Sequence, residues 1–284
     1  LFAIIAASFA NIALDLLFVM GFGWGIFGAS FATVLAQLIA FLLCLRSLRR
    51  LPFVQLTKAD WKTDPAILLH LCRLGIPTGL QMSMITLGGM VLQSVLNGFG
   101  VVFVAGYTAA NKLYGILESA SVAFGYAMTA YMGQNRGARN AARIDAGIRA
   151  VLVLSAEFTA AIVTAMLVAG KPLLGLFLST EEAGAADALA VAYQYLMVLM
   201  AFLFALFMLQ AYRSSLQGLG EMTVPTLSGF AEMLMRMGAA LVLPTFIGQS
   251  GVFFAEGAAW VCAAALNLVW YYMRIGKIKR DMLK

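Results

Sequence analysis

The sequence predicts an all-α integral membrane protein with about eight transmembrane helices. Of the 284 residues, 62% are hydrophobic and only 11% are charged, and the mean hydropathy is +0.91. Soluble domains carry about 25% charged residues, which they need to cover a surface that faces water. Because the apolar residues form long runs instead of short alternating segments, they predict helices and argue against a membrane β-barrel.

Glycine, proline and clusters of charge interrupt the apolar runs and divide them into eight candidate spans. These spans cover residues 1–20, 25–45, 67–97, 102–132, 147–169, 187–212, 222–246 and 251–274. Each span is long enough to cross the hydrocarbon core of a bilayer, which takes about 20 helical residues.

The basic residues predict the orientation of the spans. They cluster after the second, fourth and eighth spans, whereas the alternate connections carry few charges. The clusters contain Arg46, Arg49, Arg50, Lys58, Lys62 and Arg73, then Arg136, Arg139, Arg143 and Arg149, then Lys277, Lys279, Arg280 and Lys284. The positive-inside rule places these three regions in the cytoplasm. The net charge of +6 therefore indicates topology, and no nucleic-acid partner is expected.

One polar segment divides the chain unevenly, with two spans before it and six after it. We expect residues 1–46 to form the last two helices of a first lobe and residues 47–66 a cytoplasmic linker. Residues 67–275 would form a complete six-helix lobe and residues 276–284 a basic cytoplasmic tail. The similar openings of the second and eighth spans, Gly25–Ser30 and Gly251–Glu256, favour two repeats of six helices. Four further helices of the same protein are then expected before Leu1.

The first span contains the feature that points most directly to function. Asn11 and Asp15 lie one helical turn apart in a run that is otherwise almost wholly apolar. A carboxylate at that depth costs about 2.5 to 3.5 kcal/mol unless it faces a protein interior or a wet cavity. Thr33 lies at a similar distance beyond the turn at Gly21–Gly25, so the three side chains could bind a proton or a small hard cation. The alternative is a polar cluster that only joins two helices.

Six charged residues of the later spans are secondary candidates. They are Lys112, Glu118, Glu157, Glu232, Arg236 and Glu256. Glu232 and Arg236 lie one turn apart and are expected to pair, and Glu256 lies near the outer end of its span, where water could solvate it. Glu118 and Glu157 have no obvious partner in the sequence and could bind a proton or attract a cationic substrate.

Neither an enzyme nor a structural metal site is expected. Cys44, Cys72 and Cys262 lie at spacings that match no zinc site or disulfide framework. The sequence also contains none of the common hydrolase or metalloprotease motifs. No cofactor is therefore expected.

Several short motifs, in order along the chain, resemble the multidrug and toxic compound extrusion (MATE) transporters. The pattern Asn-x-x-Leu-Asp-x-x-Phe at 11–18 and the segment 25–37 resemble the fifth and sixth helices of that family. Leu74-Gly-Ile-Pro-Thr-Gly-Leu-Gln81 resembles the entry to the seventh helix, and Gly133-Gln-Asn-Arg-Gly-Ala138 resembles the end of the eighth. Gln217-Gly-Leu-Gly220 resembles the segment before the eleventh.

This resemblance implies a twelve-helix transporter whose two lobes face each other across a central cavity. Such proteins export amphipathic, often cationic, compounds in exchange for protons or sodium ions. In one branch, the first-lobe cation site uses residues that match Asn11, Asp15 and Thr33, with a further Asp from the first helix. Another branch has an acidic residue just after the position of Gln81. This sequence reads Met82-Ser-Met-Ile-Thr86 there, so it does not support that branch's second-lobe sodium site.

The resemblance also suggests a substrate cavity and a location for the protein. Gln81, Met82 and Met84 are predicted to line the cavity, and flexible thioethers such as those of the two methionines suit varied apolar shapes. The alternative is that the methionines face lipid. We expect a monomer that spans the inner (plasma) membrane several times and binds small amphipathic molecules. The alternative is a flippase for lipid-linked saccharides, but such a protein needs a basic cavity. Apart from residues of the cytoplasmic clusters and of span ends, Lys112 and Arg236 are the basic residues within the predicted spans.

The predicted orientation can be tested by cysteine labelling in intact cells. Single cysteines at Arg139 and Lys277 should resist a membrane-impermeant thiol reagent, because both positions are predicted to be cytoplasmic. A cysteine at Gln249, in a connection predicted to face outward, is the control and should react. Labelling of Arg139→Cys or Lys277→Cys from outside would contradict the orientation.

Overall fold

The structure is a computed structural model that describes residues 2–50, 62–178 and 184–282. All regular elements in these ranges are helical, and eight of them are long. The long helices are α1 (Phe2–Asp15), α2 (Gly25–Leu48), α3 (Pro65–Leu96), α4 (Val101–Gly137), α5 (Ala141–Gly175), α6 (Ala185–Gly218), α7 (Thr223–Ile247) and α8 (Phe254–Met282). The predicted all-α membrane fold is therefore confirmed.

Seven segments in the described ranges are long and apolar enough to cross a membrane. They contain α1, α2, α3, α5, α6, α7 and α8, each with a mean hydropathy of 1.3 or more. The helix α4 has 37 residues, so its length is also sufficient. It is more polar than the others because Asn111, Lys112 and Glu118 interrupt its apolar sequence.

Several helices continue beyond the ends that the sequence predicts. The helices α4, α6 and α8 end at Gly137, Gly218 and Met282. The predicted spans stopped where charge begins, whereas a helical backbone keeps its internal hydrogen bonds beyond the hydrocarbon region. The predicted tail is thus a helical extension of α8 as far as Met282, whose side chain is buried. Residues 51–61 of the predicted linker lie outside the described ranges.

The chain forms two compact units, Leu1–Leu68 and Leu69–Lys284. In the first unit, a π-helix (Leu16–Gly21) continues α1 to a sharp turn, and α2 packs back against both. Gly23 and Gly25 have φ angles of 68° and 54°, which side chains other than glycine rarely adopt. The ring of Phe18, 8% exposed, lies 5.2 to 6.0 Å from three other aromatic rings beside this turn. The aromatic cluster fixes the hairpin.

The core of the second unit surrounds α6. The helices α4, α5 and α8 all pack against α6, and its large side chains Tyr195, Leu196 and Phe207 have no exposed surface. The helix α4 approaches α6 so closely at Gly106 that a Cβ there would collide with the carbonyl oxygen of Ala188. Small residues allow such close approach between membrane helices, which gain stability from van der Waals packing.

The close contact at Gly106 gives a stability prediction. Gly106→Ala should destabilise the protein by about 1 to 3 kcal/mol, since backbone atoms cannot move aside as a flexible side chain can. The measurement is the free energy of unfolding of the purified protein in detergent.

Gly115→Ala is the matched control on the same helix. Gly115 is exposed, and an added Cβ would meet nothing within 4 Å. Alanine there should leave stability unchanged or raise it by up to about 1 kcal/mol, since it favours the helix. Equal losses for the two variants would show that the contact with α6 does not limit stability.

Candidate functional site

Asp15 lies at the point where α1 changes into the π-helix Leu16–Gly21. It is the last residue of α1, and its side chain is partly buried. A π-helix is rare, and π-helical turns within α-helices are frequently found at functional sites. The only carboxylate of the first predicted span is therefore located at an irregularity of the backbone.

A groove in the first unit brings Asp15 together with two hydroxyl groups of α2. Ser30 and Thr33 line the groove with Asp15, and the other lining side chains are apolar. Its volume is about 510 Å³. Asp15 and Thr33 thus line the same groove, whereas Asn11, the third predicted residue, is not among its lining residues. The sequence analysis missed Ser30, although it precedes Thr33 by about one helical turn.

Two polar atoms of α1, one in the groove and one a helical turn before it, are buried without a hydrogen-bond partner among the described residues. They are Oδ1 of Asp15 and Nδ2 of Asn11. Leaving such an atom unsatisfied costs about 1 to 3 kcal/mol. Ser30 and Thr33 donate their hydroxyl protons to the carbonyl oxygens of Ile26 and Ala29, both at 3.0 Å. The hydroxyl lone pairs therefore remain available, and a carboxylate with neutral oxygens is a donor set that fits a hard cation.

The second unit contains a buried chain of alternating charges, which we call the charge ladder. Arg213 of α6 contacts Glu232 of α7 at 2.5 Å, and Glu232 contacts Arg236 at 3.1 Å. Arg236 in turn contacts Glu256 of α8 at 2.8 Å. The predicted pairing of Glu232 with Arg236 is present, and it forms the centre of a longer chain. Glu256 is ion-paired with Arg236. The sequence had left open whether water solvates Glu256, because it lies near a helix end.

The ladder connects four helices in a poorly hydrated region. Its first three side chains are 4 to 7% exposed, and that of Glu256 is 14% exposed. Arg236 also donates a hydrogen bond to the carbonyl oxygen of Ile85 on α3 at 3.0 Å. Arg213 was not among the candidates from the sequence, because the predicted span ended one residue before it. Its ladder partner Glu232 lies on another helix, so spacing along one helix could not reveal the pair.

The remaining secondary candidates are not part of the ladder. Glu118 is partly buried on α4, and Lys112 and Glu157 are exposed. None of these three forms an ion pair within the described ranges. Their proposed roles remain predictions.

The residues predicted to line a cavity have different environments. Gln81 is only 1% exposed, and its side-chain oxygen accepts a hydrogen bond from Nε2 of Gln217 at 3.0 Å. It packs against Gly229, where a Cβ would approach it to 2.7 Å. Gln81 therefore joins α3 to α6 and α7 and does not face open space in this unit. Met82 is exposed and Met84 is partly buried, so either side chain could face a cavity.

Three of the segments that carry the family resemblance meet in the second unit. Arg136 donates a hydrogen bond to the carbonyl oxygen of Leu219, which joins the end of α4 to the end of α6. Thr226 donates to the carbonyl oxygen of Pro77 at 3.2 Å, near the contact between Gln81 and Gln217. These motifs therefore hold helix ends together and need not contact a substrate.

Comparison with known proteins gives a consistent result. The family model described as MatE matches residues 77–242. The chain is 31% identical over 276 residues to the "Probable multidrug resistance protein YpnP" of Bacillus subtilis, covering 95% of this chain and 59% of that protein. It is 27% identical to YoeA of the same organism, another probable multidrug resistance protein, covering 98% and 61%. The chain thus spans about three fifths of the length of these relatives.

A solved structure has the same fold. The crystal structure of MATE in complex with MaL6 matches with a TM-score of 0.89 and 23% sequence identity, covering 98% of this chain and 63% of that chain. Identity at this level supports the fold alone.

The burial of the ladder gives a second stability prediction. Glu232→Gln should destabilise the protein by about 3 to 5 kcal/mol, because it leaves two buried guanidinium groups without their shared carboxylate. The measurement is the free energy of unfolding of the purified protein.

Asp145→Asn is the control for the loss of one carboxylate from an ion pair. Asp145 pairs with Lys279, and their side chains are 47% and 24% exposed. An exposed pair contributes only about 0 to 1 kcal/mol, so this variant should be nearly neutral. If Asp145→Asn were as costly as Glu232→Gln, burial would not determine the strength of the ladder.

Proposed function

Because this chain belongs to the MatE family of multidrug efflux transporters, we propose that the protein is a secondary active antiporter. It exports amphipathic, often cationic, drugs or other xenobiotics in exchange for protons or sodium ions. The chain is a multi-pass membrane protein, and its apolar helices together with the predicted cytoplasmic charge clusters favour the inner (plasma) membrane.

The observation that carries this proposal is the polar site in the first unit. Asp15 and Asn11 have buried polar atoms without a partner among the described residues, and Asp15 shares a groove with two hydroxyl groups. A membrane helix retains so costly an arrangement when the groups have a function. Asp15 is thus the proposed coupling group, with Asn11, Ser30 and Thr33 as neutral partners.

The chemistry of coupling follows from the charge of Asp15. A proton would neutralise the carboxylate directly, whereas a sodium ion would be held by the carboxylate with the amide oxygen of Asn11 and the hydroxyl oxygens of Ser30 and Thr33. In either case the bound cation removes an uncompensated negative charge from the hydrocarbon region. Binding from outside and release inside, in an alternating-access cycle, would let the ion gradient drive export.

The ion pairs of the second unit do not favour the flippase alternative. A pyrophosphate group needs accessible positive charge. Arg213 and Arg236 are buried, and Glu232 and Glu256 already neutralise them. Of the basic residues considered for such a cavity, Lys112 is the one that is exposed.

The proposal predicts that Asp15→Asn in the full-length transporter separates substrate binding from export. Asparagine keeps the shape and a carbonyl acceptor, but it cannot exchange a proton or supply negative charge. Dye binding in detergent should therefore persist, whereas efflux driven by an imposed proton or sodium gradient should fail. Wild-type export by Asp15→Asn under both gradients would refute the assignment, and Glu118 and Glu157 would be tested next.

Two kinds of control variant accompany this test. Asn11→Ala and Thr33→Ala each remove one neutral partner and should weaken coupling by about 0.5 to 1.5 kcal/mol. Asp187→Asn also removes a carboxylate, but from an exposed position in the first turn of α6. It should export at the wild-type rate.

A further inference from the structure

We propose that Glu256 is a proton-binding site of the second unit, separate from Asp15, and that proton uptake there releases α8 from Arg236. The ligand is the proton alone. Its binding converts the carboxylate into a neutral carboxyl group and changes no other bond. This inference does not depend on which ion drives transport, because it concerns the protonation of the second unit itself.

The first reason is the unequal distribution of positive charge along the ladder. Glu232 contacts two guanidinium groups, one through each carboxylate oxygen. Glu256 contacts only Nη2 of Arg236, and that nitrogen also contacts Glu232. Glu256 therefore has only a share of one counterion, which makes it the carboxylate that loses least when a proton replaces the ion pair.

The second reason is access to water. Glu256 lies in the first turn of α8, directly after the short 3₁₀ helix Gln249–Phe253. Its side chain is 14% exposed, whereas those of Glu232 and Arg236 are 4% and 6% exposed. The basic residues at the other end of α8 place that end in the cytoplasm. Glu256 is therefore the most exposed side chain of the ladder and lies at the end of α8 opposite the basic one, so we expect a proton to reach it from outside.

The third reason is the balance of charge around Glu256. The titratable or charged side chains that interact electrostatically around Glu256 lie on four helices. They are Tyr107, Tyr114 and Glu118 of α4, Tyr195 of α6, Glu232 and Arg236 of α7, and Glu256 itself on α8. With Arg213 included, three carboxylates accompany two guanidinium groups. One negative charge is in excess because Glu118 has no guanidinium partner among the described residues. A proton on Glu118 or on Glu256 would offset this excess in an interior where uncompensated charge is costly, and the choice of Glu256 rests on its shared counterion and its exposure.

Protonation would change the contacts of Arg236 selectively. The guanidinium group would lose its ionic contact with α8 but keep Glu232 and the carbonyl oxygen of Ile85. The contacts of α7 with α3 and α6 would thus remain while the link to α8 weakens. The proton concentration outside would therefore set the strength of the contact between α7 and α8.

Infrared difference spectroscopy tests the site directly. The full chain in detergent is compared between alkaline and mildly acidic buffer, and the carbonyl stretching band of protonated carboxyl groups is measured. Glu256→Gln should lose the intensity of a single carboxyl group from this difference. Asp187→Asn is the matched control, since it also removes an acid from the first turn of a helix. The band that Asp187→Asn loses should lie at the frequency typical of a hydrated carboxyl group.

The outcomes separate this inference from the proposed role of Asp15. Asp15→Asn should keep the infrared band assigned to the Glu256 carboxyl group, whatever the effect of the substitution on export. An unchanged difference spectrum in Glu256→Gln would overturn the inference, even if Asp15 proves to be the coupling group.

A second measurement on the unsubstituted chain applies if Glu256→Gln does not fold. An apolar carbodiimide modifies protonated carboxyl groups in apolar surroundings, and peptide mass spectrometry locates the product. Modification of Glu256 should increase severalfold from alkaline to mildly acidic buffer, while Glu232 stays unmodified. Equal modification of Glu256 at both pH values, or none at all, would overturn the inference.

Discussion

Hydrocarbon does not solvate charge, and this constraint explains most of the polar chemistry of the protein. Backbone groups are satisfied within helices, and each deep ionised side chain then needs a partner of its own. The second unit meets this need with the charge ladder, in which opposite charges lie 2.5 to 3.1 Å apart. The first unit leaves polar atoms of Asn11 and Asp15 without partners among the described residues. One unit is largely neutralised internally, whereas the other leaves the Asp15 carboxylate without an ion-pair partner among the described residues.

The two arrangements suggest different functions for similar residues. A carboxylate held by two guanidinium groups, as Glu232 is, has little reason to bind anything further. A carboxylate beside neutral oxygens, as Asp15 is, gains most from an external positive charge. Glu256 lies between these extremes, because it shares a single guanidinium nitrogen and lies at the more exposed end of the ladder. Local neutralisation is therefore a better guide to function here than the presence of an acidic residue in a span.

The sequence was sufficient for the helices, since long apolar runs and basic clusters follow directly from the needs of a bilayer. It also identified Asp15, Asn11 and Thr33 as candidates, because spacing on one helix and depth across one turn can be derived from helical geometry. The sequence did not reveal contacts between helices that are distant along the chain. The pairing of Arg213 with Glu232 depends on how α6 packs beside α7, and the burial of Gln81 depends on the absence of a side chain at Gly229. The π-helix after Asp15 has no simple pattern that would have predicted it.

The ladder also constrains how the chain enters the membrane during synthesis. Arg213 precedes Glu232 by 19 residues, so α6 is translated before the carboxylate that neutralises it. Arg213 lies near the end of α6 that is predicted to be cytoplasmic, so its long side chain can extend to the aqueous interface in the meantime. Glu232 and Arg236 then arrive together on α7, already paired one turn apart, and α8 brings Glu256 last. The order of charges along the chain therefore lets each helix insert with little unpaired charge.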